Sequence, residues 1–60
     1  MTTHVKTSLT VIQIVRMTRT EKEALIDQID EEFQNAPEFF YKTRRADELR
    51  ELYETVLRYL

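Results

Sequence analysis

Sixty residues make one domain at most, and the absence of cysteine excludes disulfides and thiolate metal sites. A formal charge of −2 argues against generic binding to nucleic acid or to an acidic membrane, and no apolar run reaches the roughly 20 residues of a membrane span. At 42% hydrophobic and 33% charged, the chain suits a folded, well-solvated domain whose small core invites self-association.

The opening MTTHVKTSL has no apolar core behind its positive charge, so it does not read as a signal peptide, and a cytoplasmic location is expected. His4 is the only histidine, and zinc needs several nitrogen or sulfur ligands, so no metal site is expected there. Next comes SLTVIQIVRM, residues 8–17. Val11, Ile12, Ile14 and Val15 are all β-branched, and the run is apolar on both faces from 11 to 15. This is the pattern of a strand covered on both sides. No second strand is evident, and without glycine the chain lacks the easiest route to a tight hairpin. The expected partner is therefore the same strand of another subunit.

A helix follows. Thr20 and Glu23 fit the S/T-x-x-E capping box, and Leu25, Ile29 and Phe33, with Ile26 beside them, form one apolar stripe. Glu23, Asp27, Asp30 and Glu31 fall on the other side, the pattern of a solvated face. Asn35 and Pro37 mark the stop. The aromatic run Phe39, Phe40 and Tyr41 comes directly behind it. Successive helical residues point about 100° apart, so these three cannot share one core. At least one Phe is expected inside, and another at a subunit interface or on an exposed patch.

A second helix is expected over residues 46–60, with the stripe Leu49, Leu52, Val56 and Leu60 flanked by Tyr53, Leu57 and Tyr59. Arg44/Glu48, Arg50/Glu54 and Glu54/Arg58 are spaced for i,i+4 support. Its start is open: Thr43 fits as a cap, and Pro37 fits as the first residue. Lys42, Arg44 and Arg45 read as a solvated turn that neutralises Asp47 and Glu48, rather than as a phosphate contact. The expected fold class is α+β. Residues 1–60 form a single small domain of one N-terminal strand and two helices, the strand being paired between subunits of a homo-oligomer. Its interface is assigned to Val11, Ile12, Ile14, Val15, Phe39 and Phe40. No nucleophile–histidine pair, paired carboxylates in an apolar pocket or glycine-rich phosphate loop is present, so no enzyme and no cofactor is expected.

Residues 6–43, KTSLTVIQIVRMTRTEKEALIDQIDEEFQNAPEFFYKT, resemble the start of the N-terminal domain of the septum-site-determining protein MinC. That domain opens with Lys-Gly-Ser, continues through an apolar strand and an amphipathic helix, and reaches a Gln-Ala-Pro-x-Phe-Phe type ending. Lys6 and Ser8 match the opening; Gln34, Ala36, Pro37, Phe39 and Phe40 match the ending. The family then enters another strand, whereas RRADELRELYETVLRYL is helical by pattern. Its C-terminal domain, which dimerises and binds the ATPase MinD, has no counterpart in these residues. The chain is thus similar to a truncated or recombined relative. The resemblance implies a protein-binding module that interferes with assembly of the division protein FtsZ, with Lys6, Thr7 and Ser8 near the contact. Thr7 stands where the family has a glycine associated with that action.

Strand, helix, helix in a dimer is also the plan of ribbon-helix-helix DNA-binding repressors and antitoxins, which present polar or basic side chains on one face of the paired strands. Here neither face of residues 11–15 is polar, and the net charge is acidic. A structural protein with neither activity, orphan or engineered, is the third reading.

Overall fold

The computed structural model describes residues 5–60; His4 lies outside them. It contains α1 (Val11–Arg16), α2 (Arg19–Asn35), a 3-10 helix (Glu38–Lys42) and α3 (Arg44–Arg58), and no strand among the described residues. The expected α+β class is therefore wrong, and with it the pairing of strands between subunits. The run read as a strand is a helix of six residues.

The local reason is a capping box that the β-branched composition obscures. The Gln13 backbone N–H donates to Thr10 Oγ1 at 3.2 Å, and the Thr10 N–H donates back to Gln13 Oε1 at 2.8 Å. Leu9 and Ile14 bracket that box at the positions of a hydrophobic staple, and both pack in the core. Helix propensity separates β-branched residues from the best formers by only about 0.7 kcal/mol or less per residue, too little to outweigh capping and burial. A lone strand, moreover, would leave its backbone groups unpaired.

The same logic moves the start of α2. Thr18, not Thr20, is the cap: the Glu21 N–H donates to Thr18 Oγ1 at 3.1 Å, and the Thr18 N–H to Glu21 Oε1 at 2.9 Å. These bonds hold the Glu21 carboxyl below its ordinary pKa, the backbone bond contributing most. Two boxes overlap in this stretch. The earlier one has apolar Met17 in front of it, half-buried against the core, where the later one has Arg19. At α3 the open choice closes on Thr43, which accepts from the Ala46 N–H at 3.3 Å. Pro37 instead precedes the 3-10 helix. With no glycine to take a left-handed cap, α1 and α2 leave through extended residues, Met17 and Ala36.

α2 and α3 run antiparallel. Lys22, near the start of α2, donates from Nζ to the Tyr59 carbonyl at 2.6 Å, while Glu32, near its end, binds Arg45 at the start of α3. Between the helices lie Leu25, Ile29, Leu49, Leu52 and Val56, sealed at one side by Val5 and Ile14. Ala46 is also fully buried. The α3 stripe ends at Val56, since Leu60 lies beyond the helix and is exposed. Arg44/Glu48 is an ion pair at 3.5 Å. Arg50 turns to Asp47, and neither Arg50/Glu54 nor Glu54/Arg58 forms an ion pair among the described residues.

The helix stop holds at Asn35, and the aromatic run folds back beneath it. Tyr41 stacks on Phe33 at 5.7 Å and donates its hydroxyl to the Phe33 carbonyl, while Phe40 meets Phe33 edge-on at 5.5 Å. Phe40 packs against the core; Phe39 is 69% exposed. Phe40→Ala is therefore expected to cost roughly 2 kcal/mol, short of the 3–5 of a fully buried Phe, and Phe39→Ala less than about 0.5. Denaturant melts of the two variants check this, and equal midpoints would show the cluster to be surface.

Candidate functional site

Residues 5–10 form an arm laid along α3, and burial alternates along it as in any extended chain. Val5, Thr7 and Leu9 face inward or are half-covered, while Lys6 and Ser8 are exposed. Two contacts fix its direction. Arg45 donates from Nη2 to the Val5 carbonyl at 2.8 Å, and Thr7 donates from Oγ1 to Glu48 at 3.0 Å. The arm thus runs parallel to α3 and delivers α1 to its C-terminal half. Of the residues that the MinC resemblance assigns to a partner, Lys6 and Ser8 reach solvent, and Thr7 is turned inward onto Glu48.

α1 then divides the residues assigned to an oligomer interface. Ile14 is 1% exposed and belongs to the core of its own chain. Val11, Ile12 and Val15 are 48, 65 and 51% exposed. A strand would have set Ile12 and Ile14 on one face; the helix separates them, and the apolar side chains that the core does not use gather on the outside. Phe39 is exposed on the 3-10 helix, and Phe40 is half-buried.

Beside Val11 lies a groove of about 150 Å³ between the arm, α1 and α3. Leu9, Val11, Ile14 and Leu52 supply its apolar wall, and Thr7, Glu48, Glu51 and Thr55 its polar one. Small-molecule sites commonly span roughly 300–1,000 Å³, so this one has room for a side chain rather than a cofactor. Glu48 is engaged by Thr7 and Arg44. Glu51 has no ion-pair or side-chain hydrogen-bond partner among the described residues. Nor has Arg16, at the far edge of the α1 face.

The residue that sequence reasoning missed is Arg45. Read as part of a solvated basic turn, it is instead the junction of the arm, α2 and α3. Its Nε and Nη2 donate to both carboxylate oxygens of Glu32 at 3.0 Å while it holds Val5. The Glu32 hydrogen bonds raise its pKa further above the ordinary arginine value. Nothing local distinguishes it from Arg44, whose side chain is 93% exposed.

Among the described residues no group of three or more His, Cys, Asp or Glu is placed to hold a metal, and no helix is long and apolar enough to cross a membrane. Comparison with protein-family models, curated proteins and solved structures returned no match.

Proposed function

We propose that this chain is a protein-interaction module that docks through the outward face of α1. The observation that carries the reading is the side-by-side exposure of Val11, Ile12 and Val15 on a helix already anchored from its inner face by Ile14. None of the three belongs to the core, and contiguous exposed apolar surface is the mark of an interaction site. The module binds and does not catalyse. The ribbon-helix-helix alternative loses its basis, because its DNA-reading element is a pair of strands and the described residues contain none.

FtsZ, the partner implied by the MinC resemblance, is the first specific protein to test, and that version places the module in the cytoplasm. It assigns Lys6, Thr7 and Ser8 to the contact; the exposure of Lys6 and Ser8 on the arm is compatible with that assignment. The family's strand at residues 11–15 has no counterpart here, so any such contact is made on a helical scaffold.

The experiment presents the immobilised module to bacterial lysate and, separately, to purified FtsZ. The double variant Ile12→Glu/Val15→Glu is expected to keep its helical circular dichroism and lose what the parent captures. Undiminished capture by that variant overturns the α1 face. FtsZ retention by the parent, abolished by Lys6→Glu, supports the division-inhibitor version, and a parent that retains no FtsZ removes that partner.

A further inference from the structure

We infer that the occupant of the α1 face is a second copy of this chain, paired about a two-fold axis so that Arg16 of each copy enters the groove of the other. This rests on the docking reading above and names its partner.

The order of side chains around α1 carries the argument. At about 100° per residue, the path round the helix from buried Ile14 meets Val11, then Val15, then Ile12, then Arg16. The apolar face is thus bounded on one edge by the groove, with Glu51 and Glu48, and on the other by a cation. The Arg16 side chain makes no ion pair or hydrogen bond among the described residues, and neither does the Glu51 carboxylate. A two-fold axis running along α1 sets the Arg16 edge of each copy against the groove edge of the other, and the apolar faces against one another. An isologous interface requires this kind of self-complementarity.

The groove fits the same occupant. Its roughly 150 Å³ admits one long side chain, and its walls are split as an arginine is split. Leu9 and Val11 meet the methylene stem, while Glu51 and Thr55 meet the guanidinium. The face commits few side chains per copy, and the core of one chain is complete without it. The dimer is therefore expected to be weak and to dissociate without unfolding.

Sedimentation velocity across the micromolar range tests this on the full chain. The parent is expected to shift from monomer to dimer with rising concentration, and Ile12→Ser to remain monomeric with unchanged helicity. Arg16→Glu and Glu51→Arg each weaken the dimer about tenfold, because each alters two symmetry-related pairs. Combined in one chain, they restore it. A parent that stays monomeric throughout, or a double reversal no tighter than the single variants, overturns the second copy as occupant. If the parent is monomeric yet still captures another protein through Ile12 and Val15, the docking reading stands without this inference. If that capture is absent as well, both fall.

Discussion

Ile14→Asp is expected to abolish the cooperative thermal melt, whereas Ile12→Asp leaves it within about 0.5 kcal/mol of the parent. Ile14 is 1% exposed within the apolar core, where a carboxylate loses its hydration. A domain of this size rarely holds more than about 3–5 kcal/mol of net stability, less than the cost of such a charge. Ile12 is 65% exposed and lies in the first turn of α1, where an acidic side chain suits the helix dipole. Helical circular dichroism during heating reads both outcomes. The pair also discriminates between architectures: on a strand, residues 12 and 14 share a face and would respond alike. Equal loss in the two variants would restore the strand.

Arg45→Ala is expected to destabilise by about 2 kcal/mol, while Arg44→Ala changes stability by a few tenths, the two being adjacent cations. Removing Arg45 breaks a bidentate pair whose side chains are 31 and 19% exposed, and releases the Val5 carbonyl in the same step. The Glu32 carboxylate is then left half-covered without its cation. Arg44 reaches Glu48 from a side chain that is 93% exposed, where solvent screens the pair. Urea titration provides the two values. Amide hydrogen exchange adds a second readout, since the arm should lose its attachment in Arg45→Ala and keep it in Arg44→Ala. Similar midpoints for the two variants would show that the Glu32–Arg45–Val5 junction contributes no more than a surface ion pair.

Much of the helical pair is legible in the sequence. The stripes Leu25/Ile29/Phe33 and Leu49/Leu52/Val56 repeat at helical spacing over about two turns, and Asn35 with Pro37 ends the first. Long periodic segments carry their own evidence, because each turn repeats the same demand for one buried face. The uneven burial of the aromatic run was legible too, since successive helical residues cannot share one face. The run, however, forms a 3-10 helix at about 120° per residue, and the Phe expected inside, Phe40, is only half-buried, against Phe33.

Residues 11–16 were not legible in that way. A five-residue run with four apolar side chains satisfies either period, and β-branching tilts the reading toward a strand. The deciding interactions are the reciprocal Thr10–Gln13 cap and the depth of Ile14, and the second exists only once α3 stands behind it. Capping boxes are local and therefore written in the sequence at 10–13 and 18–21. Choosing between the overlapping boxes at 18–21 and 20–23 depends on which preceding side chain, Met17 or Arg19, reaches the core. The division of labour between Arg44 and Arg45, and the groove beside Val11, belong to the tertiary structure alone. The first arises where the arm, α2 and α3 meet, between residues as far apart in the chain as Val5 and Arg45, and the second where the arm and α1 lie against α3. Sequence by itself thus determined the two long helices and the break between them, because their signals recur within each element. What becomes of the apolar run, the arm and the basic turn was decided by contacts between elements, which leave no period in the sequence.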